Sequence, residues 1–216
     1  MGPLVLHNYF RSSTSIRVRV ALNLKGLDYA YVAHHLRLGE HRGEAYRAVN
    51  RQMLVPSLEI EGGTVLTQSL AIIEYLDEVC PEPPLLPAEA TARARVRAIS
   101  QAIACEIHPL NNLRVLNVLR ARFGADDAMV GDWFRHWVAE TFVPLEEMLA
   151  GDPATGTFCH GSRPSMADAC LFAQVINNRR FDFDMIPYPT IRRIFEVCAA
   201  EPAFANAAPE KQPDAE

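Results

Sequence analysis

The spacing of hydrophobic and polar positions divides the chain into an N-terminal part with short apolar runs and a longer part with helical periodicity. In the N-terminal part, the runs that predict strands lie at residues 4–9, 29–35, 57–60 and 65–66, and the helical stretches lie at residues 15–25 and 69–79. A Gly-Gly pair suits a hairpin turn between the last two strands. The order, β-α-β followed by β-β-α, predicts a thioredoxin-like α/β domain over residues 1–80. We expect Ser15 to cap its first helix.

The rest of the chain predicts a linker and an all-helical domain. Four of the fifteen prolines fall within the predicted linker, residues 81–92. Helical patterns over the following domain, residues 93–216, lie at residues 91–123, 126–149, 165–178 and 190–200. Pro109 and Pro144 should kink the first two helices, and Ser165 with Asp168 fits a capping box at the start of the third. The tail from residue 202 is rich in Ala and Pro, so we expect loose packing there.

Composition and charge narrow the function classes. The net charge of −5 over 216 residues disfavours nucleic acid or an anionic membrane surface as the main partner. No apolar run approaches the roughly 20 residues that span a bilayer, and the start carries no signal-peptide pattern. We therefore expect a cytoplasmic protein. The five cysteines are scattered without a Cys-x-x-Cys motif, which predicts reduced thiols and no disulfide framework.

A cluster of hydroxyl residues stands where the first strand ends and the first helix begins. Ser12, Ser13, Thr14 and Ser15 follow one another at this junction. One hydroxyl would suffice to cap the helix. Since a helix N-terminus carries partial positive charge and unsatisfied N–H groups, four hydroxyls there favour a bound anion such as a thiolate or carboxylate.

The run from Ser12 to Arg19 resembles the S-S-x-S-x-R-V-R signature of the zeta-class glutathione transferases. The usual cysteine of that signature is Thr14 here, as in the maleylpyruvate-type members of the family. The resemblance implies the two-domain glutathione transferase fold, glutathione as cofactor with its thiol near Ser13 and Thr14, and a homodimer. In such a dimer the thioredoxin-like domain of one subunit pairs with the helical domain of the other.

The resemblance also implies the residues that bind glutathione. A cis bond between Val55 and Pro56 turns the Val55 backbone toward the cysteinyl part, although most X-Pro bonds are trans. Gln68 and Ser69 begin a helix that would hold the γ-glutamyl carboxylate, while a simple helix cap is the ordinary alternative. Four further positions complete the implied set, with His41 and Gln52 at the glycyl end and His108 and Asn112 in the cleft between the domains.

Three arginines are implied to hold the substrate. They are Arg11, Arg114 and Arg180, and three guanidinium groups suit a substrate with two carboxylates because each can bind a carboxylate in a bidentate fork. A helix C-terminus favours arginine in any case, which is the alternative for Arg180, and an exposed helix face is the alternative for Arg114. If the helix were continuous, Arg114 would point away from His108 and Asn112 by about 200° of rotation.

The histidines do not predict a metal site. His34, His35 and His41 lie close in sequence, but the first two are neighbours on a predicted strand and point to opposite faces. We therefore expect no metal.

The resemblance implies glutathione-dependent cis–trans isomerisation of maleylacetoacetate in aromatic amino acid breakdown, or of maleylpyruvate. A general glutathione transferase or peroxidase would keep the hydroxyl cluster and the glutathione-binding residues but would not need three arginines. A binding protein without catalysis is the third reading, because a fold alone does not fix function.

Overall fold

The computed structural model describes residues 2–216. They form two compact units, one with the residues up to Pro87 together with Ala199–Glu216, and the other with Ala88–Cys198. The prediction of an α/β part followed by a helical part is confirmed. The C-terminal residues group with the α/β unit. The domain boundaries at residues 80 and 93 stay a prediction.

The first unit is built on a four-stranded mixed sheet. Its strands are β1 (Val5–Asn8), β2 (Ala30–Ala33), β3 (Ser57–Glu59) and β4 (Val65–Thr67), in the spatial order β2-β1-β3-β4. β2 runs parallel to β1, while β3 is antiparallel to both β1 and β4. Ser57 at the start of β3 pairs with His7 on one side and with Thr67 on the other. The end of β1, the start of β3 and the end of β4 therefore lie at one edge of the sheet.

Three helices accompany the sheet, and they are α1 (Ser13–Leu24), α2 (Glu44–Val49) and α3 (Ser69–Val79). The bounds of α3 agree with the prediction. α1 begins two residues earlier than predicted, because Ser12 rather than Ser15 is its N-cap and accepts a hydrogen bond from the Ser15 N–H. The core between sheet and helices contains fully buried apolar side chains, among them Leu6, Ile16, Leu58, Ile72 and Leu76.

The second unit is helical. Its helices are α4 (Ala90–Gln101), α5 (Leu113–Phe123), α6 (Asp127–Gly151), α7 (Met166–Asn178) and α8 (Pro189–Ala200), the last of which ends two residues past the unit boundary at Cys198. α6 continues through Pro144. Within residues 2–216, no helix combines the length and the hydrophobicity that a membrane crossing requires.

The single helix predicted over residues 91–123 is wrong, because the structure breaks it. After α4, Ala102–Ile107 is π-helical, and α5 begins only at Leu113. Pro109 lacks an N–H group and cannot continue the helical hydrogen bonds. Asn112 has extended backbone and caps α5 by accepting from the Arg114 N–H at 3.1 Å. The proline therefore separates two helices instead of kinking one.

The capping box at the start of α7 is confirmed. The buried Asp168 carboxylate accepts from both the N–H and the hydroxyl of Ser165, at 2.8 and 2.7 Å, and from the Cys159 N–H at 2.7 Å. Burial raises the pKa of Asp168 above its usual value, while these hydrogen bonds oppose that shift. The box fixes the start of a helix that is buried along nearly its whole length.

The expectation of a loosely packed tail is wrong. A short helix, α9 (Pro202–Ala205), follows α8, and Phe204 and Ala207 are both fully buried. Asn23 of α1 donates to the Ala203 carbonyl at 2.8 Å. The tail thus forms part of the packing of the first unit.

Candidate active site

Three segments of the first unit meet at the sheet edge where β1 ends. They are the start of α1, the loop before β3 and the start of α3, because the strand register places His7, Ser57 and Thr67 side by side. The start of α1 contacts the loop before β3 directly, because the Thr14 hydroxyl donates to the Val55 carbonyl at 3.0 Å. Sequence positions more than forty residues apart therefore share one site.

The hydroxyl cluster is internally hydrogen-bonded. Ser12 Oγ and Thr14 Oγ1 lie 2.8 Å apart. Because the Thr14 proton points to the Val55 carbonyl, the Ser12 hydroxyl donates to Thr14 while it accepts the Ser15 N–H. Ser13 is buried at the first position of α1. The Thr14 proton is thus committed within the protein, which the sequence did not reveal.

The loop before β3 is held by two side chains that sequence reasoning missed. Tyr46 donates its hydroxyl to the Leu54 carbonyl at 2.7 Å, and Asn50 donates to the same carbonyl at 2.8 Å. Both also contact the hydroxyl of the buried Ser57, at 2.8 and 3.0 Å. The predicted cis bond between Val55 and its following proline, Pro56, is confirmed. This bracing fixes the Val55 backbone next to the hydroxyl cluster.

The start of α3 combines a buried serine with a buried cation. Ser69 is 6% exposed, and Arg17 of α1 lies with its Nη1 3.4 Å from the Ser69 hydroxyl oxygen. Gln68 has a positive φ of 69° and donates its side-chain amide to the Gln52 side chain at 3.2 Å. Strained backbone of this kind concentrates at ligand sites. The structure thus brings Gln52, Gln68 and Ser69 together and adds Arg17 to them.

The sequence does contain a signal that Arg17 is a buried residue of the site. It stands between the apolar residues Ile16 and Val18, and a guanidinium that is buried with them needs a specific partner. Tyr46 and Asn50 gave no comparable signal, since both occur in an ordinary polar stretch.

His41 is buried in a 3-10 turn, Glu40–Arg42, and its Nδ1 atom has no hydrogen-bond partner within residues 2–216. Burial first, and then the nearby Arg42 charge, lower the pKa of His41. A neutral imidazole with an unsatisfied nitrogen suits a polar ligand at this position. Among the described residues, no group of His, Cys, Asp and Glu side chains could hold a metal ion.

Arg11 is half-buried directly before the hydroxyl cluster. Its guanidinium stacks over the Phe10 ring at 5.1 Å, and its Nη2 donates to the Tyr9 hydroxyl at 3.4 Å. In the part of the chain that is described, its buried Nε finds no hydrogen-bond acceptor. Arg11 therefore offers a donor to an anion bound beside the start of α1.

The remaining predicted site residues belong to the second unit. His108 lies in the break between α4 and α5, and its Nε2 is 3.3 Å from the Asn112 amide nitrogen. With the amide nitrogen as donor, Nε2 is the acceptor, and the ring then carries its single N–H on Nδ1. Arg114 is exposed in the first turn of α5. The rotation of about 200° between Arg114 and the other two residues assumed a continuous helix and does not apply, because Asn112 has extended backbone at the start of α5.

Arg180 lies in a 3-10 turn, Arg179–Phe181, directly after α7. Its Nη1 donates to the Asn177 side chain at 3.0 Å, and its guanidinium lies 5.5 Å from the centre of the Phe181 ring. Arg179 stacks instead on Phe195 at 4.9 Å. The two neighbouring arginines thus contact different aromatic rings.

Comparison with known proteins places these features in a family. The N-terminal domain model of glutathione S-transferases matches residues 11–79. A probable maleylacetoacetate isomerase of Vibrio cholerae is 47% identical, with 100% of each chain covered. A holo structure of a maleylpyruvate isomerase, described as a bacterial zeta-class glutathione S-transferase, is 48% identical with a TM-score of 0.96, covering 98% of this chain and 100% of that one.

A second solved structure shows a ligand. It is a maleylacetoacetate isomerase of Anaeromyxobacter dehalogenans with dicarboxyethyl glutathione and citrate in its active site. It is 40% identical with a TM-score of 0.87, and the match covers 99% of this chain and 94% of that chain.

Proposed function

Because the chain belongs to the zeta class of the glutathione transferases, we propose that it is a glutathione-dependent cis–trans isomerase acting on maleylacetoacetate, with maleylpyruvate as the alternative substrate. One observation carries this proposal. The hydroxyl-rich start of α1, the Val55 backbone and the start of α3 with Ser69 converge at one edge of the sheet.

The residues present fit glutathione. The hydroxyl of Ser69, the N-terminus of α3 and the Arg17 guanidinium together supply donors and positive charge for a carboxylate. Gln52 and Gln68 are in contact beside them, and His41 offers an unsatisfied ring nitrogen. We propose that these side chains bind the tripeptide and that the Val55 backbone pairs with its cysteinyl part.

The start of α1 would hold the reactive sulfur. The partial positive charge of a helix N-terminus and the hydroxyls of Ser13 and Thr14 favour a thiolate over a thiol. Glutathione, when bound, supplies the sulfur nucleophile that adds reversibly to the cis double bond and so permits rotation of that bond. The protein orients the sulfur and stabilises its negative charge.

The arginines would hold the substrate. We propose that Arg11 of the first unit and Arg114 and Arg180 of the second bind the carboxylates and the developing oxyanion, with His108 and Asn112 as further polar contacts. Dicarboxyethyl glutathione in the Anaeromyxobacter relative carries two carboxylates in addition to those of glutathione itself, which supports a dicarboxylic substrate class for this chain.

Charge removal separates this function from that of a general transferase. We expect Arg11→Met, Arg114→Met and Arg180→Met each to lower kcat/KM for the maleyl substrates roughly 10- to 150-fold, because a charge-assisted contact is worth about 1.5–3 kcal/mol. Conjugation of glutathione to a neutral electrophile should keep its parent rate. Arg179→Met is the matched control, since that guanidinium packs on Phe195.

A coupled assay on both maleyl compounds, with glutathione affinity measured alongside, decides the outcome. Parent rates in all three arginine variants would favour the general transferase. If the parent protein fails to bind immobilised glutathione, both enzyme readings are wrong.

We also propose a homodimer. The second unit has an apolar cavity of about 440 Å³ between α4 and α6, which supports an association in which a second copy covers this surface. The residues that line it include Ile99, Ala102, Trp137, Pro144, Leu145 and Met148. The expectation that nucleic acid is not a partner stays a prediction.

A further inference from the structure

The backbone of Phe10, next to the proposed substrate residue Arg11, is held from two sides by side chains of opposite charge. Its N–H donates to the carboxylate of Asp214 at 3.1 Å, and its carbonyl accepts from the Arg19 guanidinium at 2.7 Å. Phe10 is only 4% exposed. A buried peptide group between a strand and a helix needs such partners, because neither the sheet nor the helix supplies them.

Arg19 connects this loop to the C-terminal segment. It is fully buried in α1 and donates to the Asn8 side chain at 2.9 Å and to the Tyr9 carbonyl at 3.3 Å. Its Nε and Nη2 also donate to the Ala207 carbonyl, at 3.1 and 2.9 Å. Burial lowers the pKa of Arg19, while Tyr31, Tyr29 and Asp214 oppose that shift, so the guanidinium stays charged. Arg19 therefore needs the acceptors of the loop and of the tail at once.

Asp214 is fixed on its other side. Its second carboxylate oxygen accepts a short hydrogen bond from the Tyr31 hydroxyl. Burial first, and then this bond, raise the pKa of Tyr31, so its hydroxyl remains protonated and donates. Gln212 anchors the segment two residues earlier by donating to the carbonyls of Asn206 and Ala208, both at 2.8 Å. The carboxylate is thus presented to Phe10 by an anchored backbone.

We propose that Asp214 is a positioning residue for the active site: it fixes the Phe10 peptide group and thereby the placement of Arg11 and Ser13 relative to bound glutathione. This inference rests on the proposed function, since the placement matters only if the start of α1 holds the sulfur. The contact spans 204 residues of sequence, so that the end of the chain sets the geometry of its beginning. A displacement of about 1 Å from a reactive geometry can cost roughly 100-fold in rate.

The test compares Asp214→Ala with Asp214→Asn and with Glu210→Ala, a matched control that removes an exposed carboxylate of the same tail. Amide hydrogen exchange is measured at Phe10 and its neighbours in the protein alone. We expect exchange at Phe10 to be roughly 10- to 150-fold faster in Asp214→Ala, because its hydrogen bond to a charged acceptor is lost. The asparagine variant keeps an acceptor oxygen and should recover most of the protection.

Enzyme measurements then test the role in positioning. In Asp214→Ala we expect a raised pKa of the glutathione thiol and a kcat roughly 10- to 100-fold lower with little change in KM. In Glu210→Ala, the thiol pKa, kcat and KM should equal those of the parent protein. If Asp214→Ala does not fold, Tyr31→Phe, which removes the other hydrogen bond to this carboxylate, should shift the same quantities in the same direction but less.

Two outcomes would overturn the proposal. Parent-like exchange at Phe10 in Asp214→Ala would show that the contact does not hold the loop. A lower melting temperature together with parent-like kcat and thiol pKa would show a structural role only. The exchange measurement needs neither glutathione nor substrate, so failure of the proposed function is recognised separately by a parent protein that isomerises neither maleyl compound.

Discussion

The hydrogen bonds of Thr14 argue against its hydroxyl as the main group that stabilises the glutathione thiolate. Thr14 donates its only hydroxyl proton to the Val55 carbonyl at 3.0 Å, and it accepts from Ser12. A hydroxyl in this state cannot also donate to a sulfur anion. We expect the main hydroxyl contribution to the thiolate to come from Ser13, because it is the first residue of α1 and a helix N-terminus favours an anion.

The magnitude follows from the charge on the acceptor. A hydrogen bond to a charged group is worth about 1.5–3 kcal/mol, and each pKa unit corresponds to about 1.36 kcal/mol. Ser13→Ala should therefore raise the pKa of the bound thiol by about 1–2 units. Thr14→Ala removes a neutral bond worth about 0.5–1.5 kcal/mol to the Val55 carbonyl, so it should weaken glutathione binding and leave the thiol pKa nearly unchanged.

The measurement is the ultraviolet absorbance of the thiolate in the glutathione complex, followed as the pH is raised. Ser15→Ala is the control, because that hydroxyl accepts from the Tyr9 N–H at 3.4 Å and lies within the same cluster. Circular dichroism of each variant confirms that α1 is intact. The reasoning is refuted if Thr14→Ala shifts the pKa as much as Ser13→Ala, or if Ser13→Ala leaves it unchanged.

Three further predictions concern stability and assembly. Lys25 is buried with its Nζ 2.6 Å from Asp77 and from the Cys80 carbonyl, so Lys25→Met should lower the free energy of unfolding by about 3–5 kcal/mol in urea titrations; a loss below about 1 kcal/mol would contradict this. Burial, and next the neighbouring His7, lower the pKa of His34 below 6.5 in the folded state, so the unfolded chain binds more protons below about pH 6.5 and stability falls as the pH falls. His34→Gln should reduce that fall in a series of urea midpoints, and an identical slope would argue against it. Light scattering should give about twice the 24.1 kDa chain mass, and a monomer at micromolar concentration would disprove the dimer.

Local patterns predicted the elements whose limits are set locally. α3 begins at Ser69 and ends at Val79 as predicted, because its amphipathic pattern is bounded by a polar N-terminal residue and by the proline-rich stretch after Cys80. The capping box of α7 was visible for the same reason, since Ser165 and Asp168 are only three residues apart. These features depend on residues that are close in sequence, so a single sequence is enough to predict them.

Local patterns predicted a kink at Pro109, but not the full separation of α4 and α5. Apolar residues are buried on both sides of it, with Ile103 and Ile107 before the break and Leu116 after it. The break is stabilised by α6, where the Phe134 carbonyl accepts from Asn111 at 3.1 Å. Pro109 signals the interruption in the sequence, whereas this bond to a residue 23 positions away holds the separated geometry and is not recorded by periodicity.

The same limit applies to the charges inside the first unit. Arg17 and Arg19 interrupt an apolar helix, and their burial costs free energy unless each guanidinium has hydrogen-bond acceptors. For Arg19 those acceptors come from the preceding loop and from Ala207 in a tail that composition alone predicted to be loose. A pair of arginines at apolar positions is therefore itself a sequence signal. It indicates that distant segments must converge on that helix, and here the convergence includes Asp214 at the loop that leads into the proposed active site.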